Sequence, residues 1–141
     1  VKLRHTARPR GVRAWAGLMS LCLAAGASAQ TPCAPAPAGA QTVSAGGVQA
    51  WWLPDPAQLA VGRPFALQLQ LCPADAQLLR VDATMPEHRH GMNYRPTVKP
   101  LGEGRWRAEG LLWHMSGRWQ LRLDVRARGS EHTLLQSVVL K

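Results

Sequence analysis

The chain has 141 residues, 46% of them hydrophobic, and carries a formal net charge of +9. That length allows one domain with a modest core. Five of its 17 Lys and Arg, namely Lys2, Arg4, Arg8, Arg10 and Arg13, precede any acidic residue; without residues 1–29 the balance is 12 basic to eight acidic residues, or +4. A charge that small, with no basic cluster interleaved with aromatics, excludes a nucleic-acid footprint.

The basic start is followed by an apolar stretch from Ala14 to Ala27, and Ala27-Ser28-Ala29 has the small-x-small form recognised by signal peptidase. Residues 1–29 therefore read as a secretory signal peptide cleaved before Gln30. The apolar run falls short of the roughly 18 to 20 residues that cross a bilayer, so stable membrane insertion after cleavage is not expected. Export implies a periplasmic location and an oxidising compartment. Of three cysteines, Cys22 lies in the leader, and Cys33 and Cys72 remain as an even pair. A disulfide between them, closing a loop of about 40 residues, stabilises by roughly 3 to 4 kcal/mol on the chain-entropy argument.

Residues 30–46, rich in Ala, Pro and Gly, show no apolar periodicity and read as a linker to a domain spanning 47–141. From Val48 short alternating segments take over. Val48 to Leu53 is the first expected strand, ended by Pro54. Phe65 to Cys72 is the second, with Phe65, Leu67, Leu69 and Leu71 on one face. The third runs from Leu79 to Met85, with Leu79, Val81, Ala83 and Met85 inward.

A fourth strand covers Arg105 to Met115. If regular, it turns Trp106, Ala108, Leu112 and His114 to the core; if Gly110 is a bulge, the faces exchange and Trp113 and Met115 point inward. After Ser116-Gly117, Trp119 to Val125 alternates again and is expected to form a hairpin with it. Thr133 to Leu140 is the last strand. Short strands without a helical stretch predict an all-β fold: an immunoglobulin-like antiparallel two-sheet sandwich of about seven strands.

The chemistry is concentrated in Met85-Pro86-Glu87-His88-Arg89-His90-Gly91-Met92, with a second pair at His114-Met115. Thioethers favour Cu(I), and imidazoles suit Cu(I), Cu(II) and Zn(II), whereas the carboxylates that calcium or magnesium would need are not gathered here. Pro86 stops the strand ladder. His88 and His90 are two apart, so an extended backbone sends both rings the same way, and Gly91 frees the chain to return Met92 toward the same point. Neighbours on a strand face opposite ways, so one of His114 and Met115 is expected to join a given ion. His132, alone near a turn, reads as a solvated surface group. Trp51, Trp52, Trp106, Trp113 and Trp119 read as core, with Trp113 placed to shield a cation beside His114.

The run Met85-Pro-x-His-x-His-Gly-Met92, followed by His114-Met115-x-Gly-x-Trp119, resembles the YtkA-like, FixH-related group of small exported β-sandwich domains over residues 48–141. Ser116 stands where many relatives have Pro. The resemblance implies copper handling or the assembly of membrane-bound copper enzymes, with Met85, His88, His90, Met92, His114 and Met115 as metal ligands. The expected function is a periplasmic copper-binding protein that buffers or delivers copper, Cu(I) favoured, to an assembly or export partner. No Ser/His/Asp set, paired carboxylates or phosphate loop suggests an enzyme. Two other readings stay open: a metal-free immunoglobulin-like module docking on an envelope complex, and a zinc site built from His88, His90 and His114.

Overall fold

The computed structural model describes residues 33–141, and all its regular structure is β. The expected signal peptide lies outside the described residues. Nine strands follow one another: β1 (Gln41–Ala45), β2 (Val48–Asp55), β3 (Pro64–Cys72), β4 (Gln77–Met85), β5 (His90–Gly91), β6 (Thr97–Gly102), β7 (Arg105–Leu112), β8 (Gly117–Ala127) and β9 (Ser130–Leu140). They form two antiparallel sheets, in the orders β1-β2-β3-β7-β6 and β5-β4-β8-β9, packed as a sandwich.

The core is the meeting of two alternating faces. From the first sheet come Ala50, Trp52, Leu67, Leu69, Leu71, Ala108 and Leu111; from the second come Val81, Ala83, Met85, Trp119, Leu121, Leu123, Val125 and Leu134, all buried. At about 25 cal/mol per Å² of apolar surface, this double row is the main stabilising contribution. The chain crosses between sheets three times, after β3, after β5 and after β7. The first crossing is anchored by the Cys33–Cys72 disulfide, with Cα atoms 5.5 Å apart and a sequence separation of 39.

Three sequence expectations change, and one alternative left open is decided. First, the segment read as linker contains β1, which pairs with β2 over five residues from Gln41↔Trp52 to Ala45↔Val48. Its largely exposed Gln-Thr-Val-Ser-Ala lacks an apolar row because it is an edge strand. Second, β7 and β8 do not form a hairpin: β7 lies between β3 and β6, and β8 between β4 and β9. Residues 113–116 cross from one sheet to the other, and Trp113 and Trp119 meet across that crossing as a parallel stack, centroids 5.4 Å apart and planes 5° apart.

Third, Gly110 is the bulge that the sequence left open. Its φ is +84°, and the β3–β7 register slips there, with Phe65 opposite Leu111 but Leu67 opposite Ala108. The faces exchange, so Leu111 and Trp113 are buried. Fourth, a register shift in β4 between Leu78 and Arg80 puts Leu78, and not Leu79, in the core.

Candidate metal centre

One end of the sandwich gathers the turn after β4, the two-residue β5 and the crossing after β7. Pro86 has no N–H to continue the ladder, and the chain turns tightly there. The His88 amide donates to the Met85 carbonyl at 3.1 Å and the Arg89 amide to Pro86 at 3.4 Å. Arg89 takes a left-handed φ of +56°. The chain then returns as β5, with His90 directly opposite Met85 and Gly91 opposite Thr84. The Met92 amide continues this pairing by donating to Ala83 at 3.0 Å. An ion pair between Glu87 and Arg118 fastens the turn to the start of β8.

This register decides where the donors face. Met85 is fully buried in the core. Its partner across the ladder, His90, lies on the same face, with Cβ atoms of such pairs roughly 4.5 to 5.5 Å apart. Period two returns Met92 to that face, where it packs against the core. Gly117 makes room for Met85: a Cβ there would come within 2.9 Å of the Met85 methyl, and its φ of +121° also disfavours any side chain. Sequence reasoning treated Gly117 as part of a short connection. The small residue two before a tryptophan was the available signal.

The three imidazoles form a row. The His88 and His90 ring centroids are 5.8 Å apart, and those of His90 and His114 are 5.1 Å apart. Two imidazoles bound to one ion through nitrogen at about 2.0 to 2.1 Å have centroids roughly 5 Å apart, so the spacing suits a shared ion. Beneath them lies Trp119, whose centroid is 6.0 Å from His90 and 5.6 Å from His114, edge-on to both. Trp119 is itself fixed by its indole N–H, which donates to the Met115 carbonyl at 3.0 Å. The aromatic in contact with the histidines is thus Trp119, with Trp113 stacked on its other side.

Two nitrogens at this rim are buried without a hydrogen-bond partner: Nδ1 of His114 and the indole nitrogen of Trp113. Leaving such a group unpaired costs about 1 to 3 kcal/mol, and for an imidazole nitrogen a metal ion can supply the missing partner. His90 Nδ1 lies 3.3 Å from the Gly91 carbonyl. When Nδ1 carries the proton, this contact leaves Nε2 as the free ligand.

The donor set is nevertheless incomplete if thioethers are left out. Among the described residues, no three His, Cys, Asp or Glu side chains are grouped so that they could hold an ion. An ion at His90 and His114 would need a further donor, for which the thioethers of Met85 and Met92 on the face of His90, and exposed His88, are the candidates. The ring distances and the ladder register gather His88, His90, His114 and Met85 at one rim, while Met92 lies on the same sheet face one step further along, opposite Ala83 and against the core. Met115 instead starts the bend within the crossing and is 37% exposed.

His132 is placed differently from its sequence reading. It is half-buried, with its ring against the β1–β2 turn, where a Cβ on Gly46 would meet Nδ1 at 2.3 Å. It lies on β9 beside a distant turn and takes no part in the rim.

Compared with known proteins, the chain matches no family model, no curated protein and no solved structure. The likeness to the YtkA-like group rests on the two sequence motifs alone.

Proposed function

We propose that this chain is an exported copper-binding protein of YtkA-like type, which holds Cu(I) at the rim between His90, His114 and the thioethers of Met85 and Met92, with His88 as an exchangeable outer donor. The observation that carries the reading is the row of imidazoles beside two thioethers on one sheet face, with His114 Nδ1 buried and unpaired. Copper supplies a soft, closed-shell or redox-active centre that such mixed nitrogen and sulfur donors match. The residues do the holding: Trp119 closes the floor against water, the Glu87–Arg118 pair keeps the His88 turn over the site, and the exposed outer side leaves a path for transfer. Such a site serves buffering or delivery in the periplasm to a copper-enzyme assembly or export partner, without turnover of a substrate.

The zinc reading has one observation in its favour, the three neighbouring imidazoles. It is weakened by their failure to form a closed group without sulfur. Competition of the purified chain against chromophoric chelators for Cu(I) and Zn(II) separates the two. The expected result is one Cu(I) per chain, bound less tightly by Met85→Leu/Met92→Leu, with Zn(II) affinity unchanged by the same pair. Cu(I) binding no tighter in the native chain than in a His88/His90/His114 triple Ala variant would overturn the proposal.

A further inference from the structure

The sandwich has four edge strands, and three are blunted. β5 is two residues long and β1 five. β6 carries Lys99 and Pro100 and ends in a register irregularity between Pro100 and Gly102. Short length, proline, lysine and bulges are the usual protections of an unpaired edge. β9 has none of these along its length. It is eleven residues long, pairs among the described residues only with β8, touches β1 through side chains such as Gln136 on Gln41, and keeps its register without interruption from Ser130 to Leu140.

The β8–β9 turn shows which groups are left open. Arg128 and Gly129 both have positive φ, +51° and +77°, as in the two-residue hairpin loops that close on a hydrogen-bonded pair. That pair is Ala127↔Ser130. Alternation then directs the backbone groups of the even-numbered residues of β9 to β8, and those of Glu131, Thr133, Leu135, Ser137 and Val139 to the open edge. No backbone partner elsewhere among the described residues takes them. The same odd-numbered residues turn their side chains outward, and two are apolar: Leu135 is 48% and Val139 66% exposed.

We infer that β9 pairs antiparallel with β9 of a second copy of this chain, about a two-fold axis at Gln136, joining two four-stranded sheets into one of eight strands. This register sets odd against odd, so the open N–H and C=O groups of both edges satisfy each other. Thr133 then faces Val139 and Leu135 faces Ser137, with Leu135 diagonal to both Leu135 and Val139 of the other copy. The exposed apolar side chains join into one patch. At each end Glu131, which already pairs with Arg126 of its own chain at 2.7 Å, stands opposite Lys141, so that two cations flank one carboxylate. Gln136 faces inward and is already engaged with Trp52 and Gln41, so the axis does not disturb it.

Sedimentation velocity of the purified chain over a concentration series tests this. The expected result is a concentration-dependent dimer. Ser137→Pro removes only an N–H that points to the open edge, so it abolishes the dimer and leaves the β-sheet circular dichroism intact, whereas Ser137→Ala stays dimeric. If the proline variant does not fold, Leu135→Lys/Val139→Lys, which alters only outward side chains, must abolish the dimer instead. Lys141→Glu weakens association and adding Glu131→Lys restores it; a dimer not restored in this way overturns the Gln136 register. A chain that stays monomeric up to its solubility limit, whether or not its edge captures an extended peptide of another protein, overturns the inference. So does a dimer indifferent to both the proline and the lysine substitutions.

Discussion

Two polar clusters on this molecule make a useful contrast. On the outer face of the first sheet, Arg107 donates to Asp55 and Glu109 at 2.9 and 3.0 Å, and Lys99 reaches Glu109 at 2.6 Å. Each charge there has a partner. The Arg107 guanidinium is held above its usual range, first by its hydrogen bond to Asp55 and then by that to Glu109. Glu109 is held below the carboxylate range, first by Lys99 and then by Arg107. At the rim, by contrast, three imidazoles stand together, none of them bonded to a carboxylate among the described residues, since Glu87 is turned to Arg118, and a buried nitrogen of His114 is unpaired. A cluster that satisfies itself is part of the scaffold. One that leaves acceptors unspent is suited to a ligand.

That contrast can be broken first at its foundation. Trp119→Ala empties the floor of the rim and part of the core, with an expected loss of about 3 to 5 kcal/mol in urea unfolding together with the Cu(I) site. An unfolding midpoint close to the native one would show that the rim does not depend on the core. Next in size, Cys33→Ser/Cys72→Ser releases a loop with a separation of 39 residues, an expected cost of about 3 to 4 kcal/mol. Because the bridge lies on the β3 side, Cu(I) affinity of the folded fraction should be unchanged.

His114→Leu sharpens the comparison further. It removes a proposed ligand and an unpaired buried nitrogen together, so Cu(I) affinity should drop at least tenfold, about 1.4 kcal/mol, while metal-free stability holds or rises. Met115→Ala, outside the row, should leave Cu(I) affinity within error. The smallest effect belongs to the satisfied cluster. Because Glu109 titrates lower in the folded chain than in the unfolded one, its contribution is present above the unfolded carboxylate range and is lost as pH falls through the folded value. Glu109→Gln should remove only that part of the acid-side decline in melting temperature, and screening by solvent keeps it small.

Strands with one wet and one dry face were legible from their residues. Phe65, Leu67, Leu69 and Leu71 occupy the buried row assigned to them, as do Trp119, Leu121, Leu123 and Val125. Edge strands were not, because β1 and β6 have no dry face to write into the sequence, and Pro100 within β6 is tolerated on an outer edge. The β7–β8 connection misled for a different reason. A short turn between alternating segments looks the same whether the chain folds back in one sheet or crosses to the other, and the strand pairing, with the Trp113–Trp119 stack spanning the crossing, distinguishes them. Within the candidate site, the 85–92 motif and the His114-Met115 pair could be picked out by donor chemistry. The choice between His114 and Met115 could not, since it depends on how the Gly110 bulge and the bend at 115–116 rotate the chain.

The Trp113–Trp119 stack also gives the rim an intrinsic optical reporter. With one indole of a parallel pair about 6 Å from two histidine rings, an ion seated there lies within contact quenching range. Loss of tryptophan emission on titrating Cu(II) or Cu(I), absent in a His90→Ala/His114→Ala chain, would follow occupancy in solution without any attached dye.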